Sequence, residues 1–122
     1  LEKMLVSSCE VITVPEELQD AATALSGSGP AYFFAMVEAM ADAGKRLGMS
    51  GEDSMKAAKQ VLIGAAAMVE KSGLEPGTLR ENVTSPNGTT FAALKTFAEK
   101  DFSEVVYLAM KAARDRSIEL GK

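Results

Sequence analysis

The residues that could do chemistry fall in two short stretches. The first is Thr84-Ser85-Pro86-Asn87-Gly88-Thr89-Thr90. It gathers small hydroxyl side chains and a glycine where a helix is expected to begin. A helix start leaves backbone N–H groups without intrahelical partners and carries the positive end of the helix dipole. Such a place suits a carboxylate or a phosphate. Gly88 lets the backbone approach an anion closely, and Pro86 stiffens the approach. An ordinary N-cap uses the same residue types: Ser85 or Thr89 would then only satisfy the helix's own donors. The residues by themselves leave these two readings level. Asn87-Gly88 also matches a hairpin signal, but its flanks are helical in pattern, which sets the hairpin aside.

The second stretch is Leu25-Ser26-Gly27-Ser28-Gly29-Pro30-Ala31-Tyr32. It has a superficial likeness to a phosphate-binding loop. A dinucleotide fingerprint needs a third glycine, and Tyr32 stands in that place. The stretch also does not follow a strand. A tight helix–helix turn, with small residues that allow close packing, is the simpler reading.

Other chemistries are limited by composition. The chain of 122 residues has no His, which excludes His-based triads and His-rich zinc sites within it. Cys9 is the single cysteine, so no intrachain disulfide can form, and no basic residue follows it closely enough to activate it. Met36, Met40 and Met68 lie in apolar helical stretches and are expected to pack in a core rather than ligate a metal. Glu38 and Asp42 read as a solvated face, and no isolated carboxylate pair suggests an acid/base dyad. Thirteen Lys and Arg are scattered among seventeen Asp and Glu, for a net charge of −4. That balance argues against nucleic acid as a partner. The longest apolar run, Val61 to Val69, is far short of a membrane span. The chain opens on Leu1-Glu2 without a signal-peptide pattern, so the cytoplasm is the expected location. A first residue other than Met suggests a processed chain, an excised domain or a fragment.

These stretches need elements to position them. Hydrophobic residues make up 47% and are dominated by Ala, Met, Leu and Val, with five Phe, two Tyr and no Trp. Ala and Met favour helices, and the chain has the length of one domain, so an all-α domain is expected. Val11-Ile12-Thr13-Val14 is the exception and reads as a strand, residual in an otherwise helical chain. Pro15 followed by Glu16 and Glu17 starts a first helix, expected to reach about Leu25. A second runs from about Pro30 to Leu47, with Gly48 as its terminator. Its polar residues Glu38, Asp42, Lys45 and Arg46 share one face, while Ala31 to Val37 is apolar all round. Ser50 opens a third helix, expected to reach Ser72 before Gly73. Its Val61–Val69 segment is again apolar all round. Pro76 starts a short helix to about Val83. Thr89 or Thr90 opens a fifth helix to about Lys100. Asp101 or Ser103 opens a sixth, with Val105, Val106, Leu108, Ala109, Ala112 and Ala113 on its inner side. Two helices without a wet face exceed what a monomer of this size can cover. A homodimer with interlocked helices is therefore expected.

Ala24-Leu25-Ser26-Gly27-Ser28-Gly29-Pro30-Ala31-Tyr32 and Val83-Thr84-Ser85-Pro86-Asn87-Gly88-Thr89-Thr90 together resemble the two best-known stretches of pyrroline-5-carboxylate reductases. The segment Glu38-Ala39-Met40-Ala41-Asp42-Ala43-Gly44 is also similar to that family, and the resemblance covers about residues 11–120. It implies a cytoplasmic oxidoreductase of proline biosynthesis that transfers hydride from NADPH or NADH to 1-pyrroline-5-carboxylate, giving L-proline. It implies an architecture in which a nucleotide-binding Rossmann domain precedes a helical dimerisation domain similar to the C-terminal domain of 6-phosphogluconate dehydrogenase. Residues 1–14 would then be a remnant of the Rossmann sheet and 15–122 the helical domain. Such a chain is expected to be inactive alone, because the cofactor is held mainly by the other domain.

The resemblance further implies that Ser85, Gly88 and Thr89 bind the substrate carboxylate. Thr90, which also binds substrate, would be the catalytic hydroxyl that hydrogen-bonds the ring nitrogen. The family usually has Gly where this chain has Asn87. Asn is the residue with a side chain best able to hold a positive φ, so the loop can keep its shape. Two alternatives stand beside this reading. One is a purely structural oligomerisation domain. The other is the helical domain of a related hydroxyacid dehydrogenase, which would need a Lys or another base. Neither a membrane nor a metal is implied, and assembly beyond a dimer is left open.

Overall fold

The computed structural model describes residues 12–121. The expected helix end within residues 1–10, and Cys9 with it, lie outside the described residues. So does Val11, the first residue of the expected strand. Ile12 to Val14 form no strand. A strand exists only as one side of a ladder, and no segment among the described residues offers the other side.

The first helical run, from Glu16 to Gly27, changes winding twice. A 3₁₀ turn, Glu16–Leu18, leads into α1, Gln19–Ala22, which widens into a π turn at Thr23–Gly27. The widening has a local cause. The Ser26 hydroxyl donates to the Ala22 carbonyl at 2.9 Å, and the Ser28 amide reaches back to the Thr23 carbonyl at 3.0 Å. A side chain competing for a helix carbonyl loosens the turn around it. Helix α2 follows at once, Gly29–Arg46, with Pro30 in its first turn, where a missing N–H costs nothing.

The corner between α2 and α3 (Gly51–Lys71) is built from both ends. Gly48 has φ 110, the Gly48 amide bonds the Lys45 carbonyl at 3.0 Å, and the Met49 amide bonds the Gly44 carbonyl at 3.0 Å. That pair of bonds is a Schellman motif, which only a residue without Cβ enters easily. Ser50 then caps α3, accepting from the Asp53 amide at 3.1 Å. The helices close tightly here. A Cβ on Gly44 would stand 2.6 Å from Ser54 Oγ. Ala41, Ala58 and Ser54 are buried at this contact, and the Ser54 hydroxyl has no hydrogen-bond partner. A shallow pocket opens beside it, with Met40, Met49 and Val61 among its walls.

Gly73, at φ 72, ends α3. Helix α4 is Pro76–Asn82, α5 is Thr89–Glu99 and α6 is Phe102–Leu120. Asp101, at φ 59, turns the chain between α5 and α6, and the rings of Phe97 and Phe102 stack across the turn at 5.0 Å. The order and approximate bounds of all six helices follow the sequence reading.

The chain divides into two compact units. Among the described residues, one comprises those up to Ala31 together with those from Ser103 onward, and the other is Tyr32–Phe102. In the first, the Ser117 hydroxyl on α6 donates to the Asp20 carboxylate on α1 at 2.6 Å, and Ala24 is buried. The same face of α6 carries half-buried Ala113, Arg114 and Ser117. Val105, Val106 and Leu108, expected to face inward, are instead exposed. They are apolar, but nothing among the described residues covers them.

That correction is general. Among the described residues the buried apolar set is Ala24, Ala41 and Ala58 alone. Phe33 and Phe34 on α2 are 59% and 63% exposed, and Val61, Ile63, Met68 and Val69 on α3 are all more than half exposed. Met40 and Met68 are likewise exposed, not packed in a core as expected. The segments read as apolar all round are those left uncovered. Large aliphatic and aromatic residues normally fill the interior of a stable monomer. Contiguous apolar surface of this kind marks a surface that associates.

Candidate functional site

The loop between α4 and α5 is shaped by hydrogen bonds of its own. At the end of α4 the Val83 amide bonds the Arg80 carbonyl at 3.3 Å, the Thr84 amide bonds the Glu81 carbonyl at 3.1 Å, and the Thr84 hydroxyl donates to the Arg80 carbonyl. These bonds finish α4 and spend the Thr84 hydroxyl. Ser85 to Gly88 then form a tight turn, closed by the Gly88 amide on the Ser85 carbonyl at 3.0 Å. Pro86 holds the second position, and Asn87, at φ 60, the third. Proline second and a positive φ third is the pattern of a type II turn.

Gly88 is extended, with φ −86 and ψ −171, so a positive φ does not require a glycine there. Contact does. A Cβ would lie 3.3 Å from both the Cβ and the carbonyl oxygen of Ser85. Gly88 is also the N-cap of α5, and its carbonyl accepts the first helical bond, from the Ala92 amide at 3.1 Å. A glycine has no side chain with which to cap. The amides of Thr89, Thr90 and Phe91 therefore open the helix without the oxygen that Ser50 supplies to α3. The first turn of α5 has no acidic residue either, whereas α3 carries Glu52 and Asp53 there. The plain N-cap reading, with Ser85 or Thr89 as acceptor, is thus not what the structure forms.

Ser85, Gly88, Thr89 and Thr90 all fall within this one turn of chain. Ser85 and Thr89 are exposed, while Gly88 and Thr90 are half-buried. What they offer together is a set of donors: backbone N–H groups at the positive end of an eleven-residue helix, with hydroxyls beside them. No side chain from Ser85 to Thr90 titrates. The arrangement can hold and orient an anion, but it cannot shuttle a proton through an ionisable group.

The stretch from Leu25 to Tyr32 behaves differently. It is the π turn and the start of α2, so Gly27 and Gly29 do not form a phosphate cradle. Close packing is not seen there either. A Cβ on Gly27 would make an ordinary 3.5 Å contact with Thr23 Cγ2, and one on Gly29 would meet nothing within 4 Å.

The perturbed ionisable groups lie away from the substrate-loop candidates in sequence. Arg114 bonds the adjacent Asp115 at 2.7 Å and Lys111 reaches it at 3.4 Å. The Arg114 hydrogen bond, opposed by desolvation and aided by Lys111, holds the Asp115 carboxyl below its usual value. This is a partly exposed ion cluster on α6. Among the described residues, no group of three His, Cys, Asp or Glu gathers to hold a metal ion, and no helix is long and apolar enough to cross a membrane.

The family model described as pyrroline-5-carboxylate reductase dimerisation matches residues 16–120. The chain belongs to this family. A pyrroline-5-carboxylate reductase of Pseudomonas aeruginosa is 52% identical over 103 residues, which are 84% of this chain and 38% of that protein. One from Arabidopsis thaliana is 42% identical over 93% of this chain and 41% of its own length. The crystal structure of Plasmodium falciparum pyrroline carboxylate reductase with NADP bound superposes with a TM-score of 0.83 at 36% identity, covering 93% of this chain and 46% of that one. The reductase from Coxiella burnetii gives 0.85 at 37% identity, covering 90% of this chain and 41% of that one. The chain thus spans about two fifths of the length of the curated relatives it matches. These likenesses agree with the all-α reading and with the family resemblance read from the two stretches.

The sequence reading did not find the Ser117–Asp20 bond. No local pattern could reveal it, since the partners are 97 residues apart.

Proposed function

We propose that this chain is the dimerisation and substrate-binding part of a cytoplasmic pyrroline-5-carboxylate reductase. It works beside a Rossmann domain, of which residues 1–14 are the end, and that domain holds NADPH or NADH. The observation that carries the reading is the uncapped, carboxylate-free start of α5. Within a reductase whose substrate is a cyclic imine bearing a carboxylate, that start is the natural seat for the carboxylate.

The reaction adds one hydride to the imine carbon of 1-pyrroline-5-carboxylate, and the imine nitrogen ends as an amine. The reduced nicotinamide supplies the hydride and leaves oxidised. The imine is basic enough to be protonated before attack, so protein groups have mainly to position it. Ser85, Gly88 and Thr89 receive the carboxylate. Thr90 lies one residue further into α5, and its hydroxyl accepts from the protonated ring nitrogen. The stretch Gly27 to Tyr32 does not fit the cofactor's phosphates, because it lacks the third glycine and winds as a π turn into α2.

Two copies of the chain complete the fold. The uncovered apolar faces of α2, α3 and α6 require a partner, and a second copy supplies identical apolar faces. The same faces would also suit a purely structural oligomerisation domain without a ligand role. The two readings part at the loop. The chain is titrated with L-proline while the amides of Ser85 to Phe91 are followed by NMR. Shifts confined to that loop support the substrate reading, and their absence favours the scaffold. Oxidation of NADPH with 1-pyrroline-5-carboxylate is expected of the full-length protein and not of the 122-residue chain. Turnover by the chain alone would refute the division of labour.

A further inference from the structure

We propose that Asn87 is a positioning residue for the substrate loop, whose left-handed backbone sets how the first amides of α5 are presented. The proposal rests on the reading of this loop as the seat of the substrate carboxylate. Asn87 is the third residue of the Ser85–Gly88 turn and has φ 60. Its neighbours are constrained on either side. Pro86 has its φ fixed by its ring. Gly88 is extended and pressed so close to Ser85 that an added Cβ would come within 3.3 Å. Asn87 is the one link of the turn whose conformation its own stereochemistry disfavours. A residue with a Cβ pays steric energy in the left-handed region, Asn less than most and β-branched residues most of all.

The consequence runs through the Gly88–Ser85 hydrogen bond of 3.0 Å. If position 87 relaxes to negative φ, either that bond opens or the Pro86–Asn87 peptide flips to keep it. In both cases the backbone between Ser85 and the Thr89 amide takes another course. Asp101 also has positive φ, but it stands at the α5–α6 junction, outside the substrate loop. Asn87 touches no reacting atom. It acts by keeping the carboxylate's donors on one side of the loop before substrate arrives, so its loss is felt in substrate binding and not in the hydride step.

The test is steady-state kinetics of the full-length enzyme with Asn87→Gly, Asn87→Ala and Asn87→Val. Glycine occupies the left-handed region freely, so Asn87→Gly should keep the KM for 1-pyrroline-5-carboxylate within about twofold. Asn87→Ala should raise it about three- to tenfold, and Asn87→Val by more than about tenfold. In both, kcat should change less than about twofold and the KM for NADPH should stay put. Should the Val variant fail to fold, the Gly–Ala pair carries the comparison. Wild-type KM in Asn87→Ala would overturn the proposal. So would a Gly variant as impaired as the Ala variant, since the carboxamide and not the backbone would then be at work. A joint loss of kcat and both KM values would reassign Asn87 to general stability and overturn it too. Absence of turnover in the wild-type full-length protein would instead remove the substrate reading itself, and the proposal with it.

Discussion

Replacing Phe34 by Ala should dissociate the dimer without unfolding its helices. Phe34 sits on α2 and is 63% exposed in one copy. A phenylalanine side chain buries about 200 Å² when fully covered, so a partner would remove roughly 125 Å² of it from water. At about 25 cal/mol per Å² that is roughly 3 kcal/mol per copy. Alanine keeps its Cβ, so the loss is nearer 2 kcal/mol, and a symmetric dimer loses it twice. About 4 kcal/mol corresponds to roughly a thousandfold weaker association. The sign is robust, because within a single copy the Phe34 ring is mostly in water and its removal takes little from the fold. The assay is sedimentation velocity over a concentration series, with far-UV circular dichroism to confirm that the helices remain. Lys95→Ala serves as the control. It breaks only the exposed Lys95–Glu99 pair at 3.1 Å, and such pairs contribute little. A wild-type chain that stays monomeric at micromolar concentration would refute the reasoning. A Phe34→Ala chain that dimerises as tightly as wild type would show that this stretch of α2 faces water in the assembly.

In the full-length enzyme, Thr90→Ala should lower kcat/KM about ten- to a hundredfold, the usual loss for a hydrogen bond to a charged group, and an unchanged kcat/KM would remove Thr90 from the mechanism. Gly44→Ala should lower the melting temperature by several degrees, since the new Cβ would stand 2.6 Å from Ser54 Oγ and overpacking costs about 1–3 kcal/mol. Ser54→Ala should leave stability level or raise it, because the hydroxyl it removes is buried without a partner; thermal melts of both variants check this pair. The Asp115 carboxyl should titrate below 3.8 by carbon-detected NMR, and Arg114→Gln should return its midpoint toward that value. Because its folded value is depressed, any stability it lends is fully present above 3.8 and fades as pH falls through the lower folded value.

The helices were legible because their ends carry strong local chemistry. Ser50 with Asp53, Gly48, Gly73 and Pro76 each act within a few residues, and each does in the structure what its type predicts. The loop before α5 was legible in part. Ser85-Pro86-Asn87-Gly88 announces a turn followed by a helix, yet only coordinates show that the N-cap is a glycine, so that no side chain answers the first amides. The inner faces were misjudged for a different reason. Periodicity tells which residues avoid water but not what covers them, and for Val105, Val106 and Leu108 no cover stands among the described residues. The strand failed in the same way, since Ile12 to Val14 have β-branched composition but no neighbour to pair with among the described residues.

The absence of His and the makeup of the loop bear on the kind of reaction this domain can serve. From Ser85 to Thr90 the chain offers amides, hydroxyls and one carboxamide, none of which changes charge near neutrality. A reaction that needs a base to draw a proton from a hydroxyl would find none in this loop, which counts against a hydroxyacid dehydrogenase. Reduction of a cyclic imine makes no such demand. The substrate carries its own proton on nitrogen, and the charge that must be met at this end is the fixed carboxylate. A helix start meets it with oriented dipoles that need no ionisation and no reorganisation when the hydride moves. The residues this loop lacks are therefore as informative as those it has. On the proposed reading its part is to hold one end of the substrate still, and the role proposed for Asn87 is to set how well it is held.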